Sequence, residues 1–270
     1  MIIHKIPIRN RLRNFMYLIA DEKTNEALAI DPLAHKLCLQ TASEHGYDIR
    51  QVVNTHHHHD HVGGNAKVLE ATGAKLLAHS KADIPAVDRR LEISDSVKVG
   101  SYDLQILDTP GHTLSHVCLY YDGNKVDRQN GEKTLIDQPV LFSGDTIFNA
   151  GVGNCYNGGH PEIMYETIVS LFEQLPMNTR LFPGHDYIEN NLRFTLDREP
   201  SNVDARKLLD EFSKGLDAES YVTTLKQEKL LNVFLRLNCS EIRTKLNQEG
   251  FDSSTEKTTF LALRELRNRW

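Results

Sequence analysis

The chain has little cysteine, and none of it is paired. Its four cysteines, Cys38, Cys118, Cys155 and Cys239, stand far apart and form no C-x-x-C motif. That pattern excludes a disulfide framework and a thiolate zinc module, and it reads as reduced thiols in a cytoplasmic protein. No run of about 18 apolar residues occurs, so no membrane span is expected. The start, MIIHKIPIRNRLRNF, lacks the uninterrupted apolar core of a secretory leader. An excess of positive charge is missing as well. The formal net charge is -6, whereas binding to nucleic acid wants a basic surface. Neither nucleic acid nor a membrane is an expected partner.

What remains is ordinary soluble composition, with 40% hydrophobic and 25% charged residues over 270 positions. That length suits one large domain or two modest ones with a sizeable core. Apolar runs at 15–20 and 27–30, separated by a polar turn, predict a hairpin. Helical spacing covers residues 34–45 and 64–72, with a short buried strand at 50–55 between them. Strands are expected at 75–79, 102–107, 116–121, 140–143 and 180–183, and a helix at 162–174. Residues 122–138 are polar and charged and read as a surface loop. Beyond residue 187 no strand is convincing. Helical segments are expected near 188–195, 204–212, 226–237, 240–247 and 257–269. The shift predicts a mixed α/β domain, residues 1–187, followed by a smaller all-helical domain, residues 188–270.

The unusual count is 13 histidines, and their placement is informative. His56-His57-His58-His59-Asp60-His61 reads with skips as H-x-H-x-D-H. It follows an apolar strand and precedes a helix, and Asp60 stands where a helix N-cap would be. A purification tag would sit at a terminus, whereas this run is internal. Thr109-Pro110-Gly111-His112-Thr113, Ser143-Gly144-Asp145-Thr146 and Pro183-Gly184-His185-Asp186 each follow another apolar run. One histidine or aspartate in a turn is commonly a cap. Four such sites, each just past a strand end beside a glycine or at a helix start, point to a shared metal centre. Imidazole and carboxylate donors suit zinc first, and iron or manganese as well.

The order H-x-H-x-D-H, G-H-T, G-D-T, G-H resembles the metallo-β-lactamase superfamily over essentially the whole chain. The resemblance implies an α/β fold, an αβ/βα sandwich with metals at one edge, and a two-ion ligand set. His56, His58 and His112 would hold one divalent ion, and Asp60, His61 and His185 the other. Asp145 would bridge them, with Asp60 and Asp145 as the catalytic carboxylates. His57 and His59 would face away, and His116 reads as a core histidine. A water shared by two such ions loses its proton readily and becomes a nucleophile at neutral pH.

Within the superfamily the chain is most similar to glyoxalase II, the hydroxyacylglutathione hydrolase family. The run from Gly144 to Tyr156 and the segment Gly184-His185-Asp186-Tyr187-Ile188-Glu189-Asn190-Asn191-Leu192 carry that likeness. Tyr156 and Tyr187 fall on the family's glutathione-contacting tyrosines. Arg264 and Arg267 fall on its basic pair, three apart on one helix face, with arginine in place of the usual lysine at 267. Phe260, Leu263 and Trp270 would form the buried stripe of that helix. Asn154 stands where the family usually has a basic residue; it offers hydrogen bonds and no charge. The implied activity is cleavage of a glutathione thioester, S-D-lactoylglutathione in the family, by a monomer. The alternative is a persulfide dioxygenase of the same fold with a single iron on two histidines and an aspartate. Metal content and oxygen consumption separate the two. A non-catalytic binding protein is disfavoured by the complete ligand order.

Overall fold

A computed structural model describes residues 1–126, 133–135 and 138–270. The chain divides into two compact units: residues 1–109 with 115–144, and residues 110–114 with 145–270.

The first unit contains a six-stranded sheet. Ile2–Pro7, Phe15–Ala20 and Glu26–Ile30 pair antiparallel, and Glu26–Ile30, Asp48–Asn54, Lys75–His79 and Arg89–Leu91 continue in parallel. A parallel step needs a crossover, and helices His35–His45 and Asn65–Thr72 supply the two central ones. Cys38 and Ala42 from the first helix and Val68 from the second pack into the core cluster of Met16, Leu18, Ala29 and Val52. A second, antiparallel set runs through Ser96–Val99, Tyr102–Asp108, Val117–Tyr121 and Val140–Gly144. The two sheets meet at Tyr17 and Phe142, whose rings lie edge-on at 5.2 Å. Phe15–Ala20 and Val117–Tyr121 are buried along their whole length. That is why they read as continuous apolar runs and not as alternation.

The second unit is mostly helical. Pro161–Gln174 starts with proline at its first turn, where a missing N–H costs nothing. Ile188–Arg198, Val203–Ser213, Leu225–Leu231, Ser240–Gln248 and Glu256–Arg269 follow the expected helical segments. Capping boxes start two of them: Thr224 with Gln227, and Thr255 with Thr258. The segment expected at 226–237 breaks at Asn232 and resumes as a short 3-10 turn, Val233–Leu235. There the Asn232 side chain caps Phe234 N–H and donates to the Gly151 carbonyl. Phe260 sits between Tyr165 and Phe234, tying the last helix to Pro161–Gln174.

Several elements depart from expectation. Ile2–Pro7 and Arg89–Leu91 are edge strands: half-buried His4 and Lys5 interrupt the first, and two exposed arginines open the second. Ser96–Val99 is a short strand with one exposed residue, too brief to read. Thr223–Thr224 forms a two-residue strand on Arg180–Leu181, in the region expected to be all helix. Within the expected loop, Asn124–Val126 pairs with Lys133–Leu135; its residues 127–132 and 136–137 lie outside the described residues. Asp60 is not a helix N-cap. His58 holds that place, and Asp60 lies in the first turn of His59–Val62. Among the described residues no helix is long and apolar enough to cross a membrane.

One buried charge stands out in the second unit. Glu228 is fully buried, and burial pushes its carboxyl up to about 7 against hydrogen bonds from Thr223, Asn232 and the Ala150 amide. A carboxyl raised by folding stabilises the native state below its unfolded pKa, and that stability is lost as pH rises toward the folded value. Glu228→Gln should therefore melt above the wild type at pH about 8, and the difference should shrink as pH falls toward about 5. Thermal melts across that range check it, and a pH-independent difference would contradict the assignment.

Candidate functional site

In the first unit four expected donors gather where strand Asp48–Asn54 ends. The ligand atoms of His56 and His58, of His56 and His61, and of Asp60 and His61 lie within 4.8 Å of one another. His56 Nε2 and His58 Nδ1 approach to 3.0 Å, turned toward the same point. His56 and His61 are fully buried, His57 and His58 half-buried, and His59 exposed. His116 is fully buried, stacks on His56 at 5.1 Å and bonds Thr109 Oγ1 through Nδ1.

A residue that sequence reasoning missed orders this cluster. Asp31 is buried and takes a left-handed φ of 50° directly after its strand. Its Oδ1 accepts from the Thr55 amide at 2.9 Å, and its Oδ2 accepts from Thr55 Oγ1 at 2.6 Å and His61 Nδ1 at 2.9 Å. A carboxylate only accepts, so His61 carries its proton on Nδ1, and Nε2 faces Asp60 Oδ2 at 3.6 Å. Thr55 Oγ1 spends its proton on Asp31 and so accepts from His56 Nδ1 at 3.0 Å. Both imidazoles are thus held in the tautomer that presents Nε2. Asn14, also missed, donates to Asp60 Oδ2 and to its carbonyl, both at 3.0 Å. The signal for Asp31 was available, since it is an acidic residue immediately after an apolar strand, like Asp145.

In the second unit Asp145 Oδ2 lies 3.1 Å from His185 Nε2 and 3.5 Å from His112 Nε2. His112 Nδ1 donates to the Asn154 carbonyl at 2.7 Å, which again leaves Nε2 unprotonated. One glycine in each unit permits a close approach. A Cβ on Gly144, at φ 46°, would sit 2.7 Å from both His116 Nε2 and Thr55 Oγ1. One on Gly153 would sit 2.0 Å from the Asp145 carbonyl oxygen. Buried imidazoles with one nitrogen committed and the other presented, beside carboxylates, fit a zinc-, iron- or manganese-type ion in each unit's donor chemistry.

The same unit holds a cavity of about 380 Å³ lined by Asn154, Tyr156, Tyr187, Arg264 and Arg267 together with Phe148 and Trp270, among others. All five residues expected to bind substrate therefore share one cavity. Tyr187 stacks on His185 at 4.9 Å, and Phe148 meets both rings edge-on. Tyr156 is 76% exposed, a cover and not a core residue. Trp270, expected in a buried stripe with Phe260 and Leu263, is 48% exposed because it lines this cavity. Burial pulls the Arg264 guanidinium down to about 10, still a cation at neutral pH, and lowers Arg267 as well. Arg264 Nη1 donates to the carbonyls of Val152 and Gly153, and Nη2 to Asn268. Arg267 donates to Asn191 and lies over the rings of Phe194 and Trp270. Burial also pushes the thiols of Cys38 and Cys155 up to about 12 and about 11, so neither is a thiolate at neutral pH.

Asp31→Asn keeps the shape but no longer enforces the His61 tautomer. It should weaken zinc binding roughly ten- to a hundredfold, as outer partners of metal-binding histidines do. Chelator competition measures this, and unchanged affinity in a folded variant would remove Asp31 from the site.

Residues 186–270 match the family model described as hydroxyacylglutathione hydrolase C-terminus, and residues 16–127 match the metallo-β-lactamase superfamily. A protein named hydroxyacylglutathione hydrolase from Polaromonas sp. (strain JS666) is 50% identical, with all of both chains covered. One of the same name from Nitrosococcus oceani is 49% identical, again over all of both chains. Among solved structures, ETHE1 from Myxococcus xanthus is similar with a TM-score of 0.69 and 23% identity, covering 99% of this chain and 92% of that one. A metallo-beta-lactamase from Staphylococcus aureus gives a TM-score of 0.64 at 24% identity, covering 90% of this chain and 66% of that one. At those identities the structures speak for the fold alone. Full-length likeness at half identity speaks for more: this chain has the metallo-β-lactamase fold with a helical C-terminal region, and it belongs to the hydroxyacylglutathione hydrolase family.

Proposed function

We propose that the chain hydrolyses S-(2-hydroxyacyl)glutathione thioesters, S-D-lactoylglutathione first among them, at a centre of two divalent metal ions. Zinc is the first choice, and iron and manganese suit the same donors. In this reading His56, His58 and His112 hold one ion, Asp60, His61 and His185 hold the other, and Asp145 bridges. Residues 1–187 form the catalytic domain and 188–270 the glutathione-binding domain. Family membership and the complete order of ligand motifs support the reading.

The observation that carries the substrate class is the charge of the cavity. Among the described residues, neither Arg264 nor Arg267 is paired with a carboxylate. Two partly desolvated cations facing one cavity call for an anion. The glycine carboxylate of glutathione meets that need, with Asn154, Tyr156 and Tyr187 lining the same cavity beside its peptide groups.

When bound, the ions supply Lewis acidity and bring water toward deprotonation near neutral pH. The protein's own part is orientation. Asn14 holds the Asp60 oxygen, Asp31 and Thr55 hold His61 and His56, and the Asn154 carbonyl holds His112. Hydrolysis breaks the acyl carbon–sulfur bond, with the hydroxyl of water joining the acyl carbon and its proton ending on the thiol product. The leaving thiolate needs no general acid, which fits a site without a committed proton donor in the reading.

The purified chain should cleave S-D-lactoylglutathione and carry about two metal ions when fully loaded. A single tightly bound iron with oxygen-dependent turnover would overturn the hydrolase reading. Replacing each of the four cysteines by serine should leave turnover largely intact, and a trapped acyl-cysteine would contradict the mechanism. A charge-assisted hydrogen bond contributes on the order of 1.5–3 kcal/mol. Arg267→Ala should therefore raise KM for S-D-lactoylglutathione roughly ten- to a hundredfold with little change in kcat. Arg267→Lys should be milder. A thioester lacking glutathione should be indifferent to both substitutions, and an unchanged KM in Arg267→Ala would remove this residue from the substrate site.

A further inference from the structure

Residues 149–154 form a segment whose polar groups are taken up residue by residue, mostly by side chains of the surrounding helical region. Asn149 Nδ2 donates to Thr223 Oγ1 at 2.7 Å, and the Asn149 carbonyl accepts from Asn191 Nδ2 at 2.9 Å. The Ala150 amide donates to Glu228 Oε2 at 2.9 Å. The Gly151 carbonyl accepts from Asn232 Nδ2, which also donates to Glu228 Oε2 at 3.1 Å. The carbonyls of Val152 and Gly153 accept from Arg264 Nη1, and the Asn154 carbonyl accepts from His112 Nδ1.

The turn at the head of this segment is not relaxed. Ile147–Phe148 pairs with Gly151–Val152, leaving Asn149 and Ala150 as a two-residue turn. Ala150 takes a φ of 58°, a left-handed conformation that such turns normally give to glycine. A non-glycine residue there costs about 1–3 kcal/mol and persists only where its surroundings over-determine it. The surroundings that hold the Ala150 amide are a carboxylate with no solvent exposure, Glu228. A buried carboxylate is expensive, and a hydrophobic residue would serve a plain core better. Its presence at this turn calls for a reason beyond packing.

We propose that Glu228 is a positioning residue of the active region: by accepting from Ala150 and anchoring Asn232, it holds the turn that sets the Asn154 carbonyl, and so the orientation of His112. Glu228 touches neither the cavity nor a candidate ligand, so it acts through the segment. The proposal rests on His112 being a metal ligand, as in the reading above. Tyr221 is the ionisable neighbour that feels its charge.

Glu228→Ala removes the acceptor, and Glu228→Gln keeps one of the same shape. In the metal-free protein, hydrogen exchange across residues 146–155 should quicken about tenfold in Glu228→Ala and little in Glu228→Gln. Zinc affinity by chelator competition should fall roughly tenfold in Glu228→Ala. Upon full zinc loading, kcat should fall while KM for S-D-lactoylglutathione stays within about twofold. Ala150→Gly, which relieves the turn, should restore part of the lost zinc affinity in the Glu228→Ala background. If Glu228→Ala does not fold, the comparison passes to Ala150→Gly in the Glu228→Gln background, whose exchange and zinc affinity should then match wild type. Glu228→Ala that folds with unchanged exchange and zinc affinity overturns the proposal, as does a change confined to KM, and so does a mismatch in the fallback pair. His112→Ala is the reference. If that variant also binds zinc as wild type does, it is the metal reading that has failed and not the linkage from Glu228 to the segment, which hydrogen exchange reports separately.

Discussion

An imidazole can serve a metal only through an unprotonated nitrogen, and everything around the candidate donors answers to that constraint. His56, His61 and His112 each have one nitrogen committed to an oxygen: Thr55 Oγ1, Asp31 Oδ2 and the Asn154 carbonyl. The commitment runs in a fixed direction, because Asp31 can only accept. That forces the Thr55 hydroxyl to donate to it, which forces His56 to donate to Thr55. One buried carboxylate therefore determines two tautomers. It stands at a left-handed backbone position that a residue without a local role would avoid.

The second unit meets the same constraint by backbone and not by carboxylate. A carbonyl oxygen is a reliable acceptor only if its peptide cannot rotate. The Asn154 carbonyl follows two others pinned by one guanidinium nitrogen of Arg264. Arg264 is thus both a wall of the cavity and a strut for the segment that carries the Asn154 carbonyl, whereas Arg267 is a wall whose donor goes to the Asn191 side chain. The two arginines are neighbours on one helix face and similar in charge. They differ in reach, because Arg264 bonds two carbonyls of the segment directly and Arg267 meets it only through Asn191, which holds the Asn149 carbonyl.

How much of this was legible follows from where the information resides. The seven candidate donors stand out in the sequence because each is a histidine or acid placed just past an apolar strand or at a helix start, a local pattern. The five cavity residues were legible through family likeness and not through spacing. Asp31 carried the local signature but lacked a histidine beside it to draw attention. Asn14, Asn232 and Glu228 carried no signature at all. Their roles come from contacts across 46, 81 and 78 residues, which no local window contains. The short strands were missed for the complementary reason. Arg89–Leu91 and Thr223–Thr224 are defined by the neighbour they pair with and not by their own apolar pattern.

Net charge and site charge also separate cleanly here. The chain carries a formal charge of -6, yet its cavity is lined by Arg264, Arg267 and Arg269 and by no Asp or Glu side chain among the described residues. An acidic surface repels anions in general and so disfavours adventitious binding of phosphates or nucleic acid. In the proposed reading, selectivity for a small anion must then come from inside the cavity. There burial lowers Arg264 and Arg267 by removing water, and the same loss of water strengthens each contact with an incoming carboxylate. The missing basic residue at Asn154 fits that arrangement. Its carbonyl is committed to His112, while its side chain lines the cavity and offers hydrogen bonds without charge.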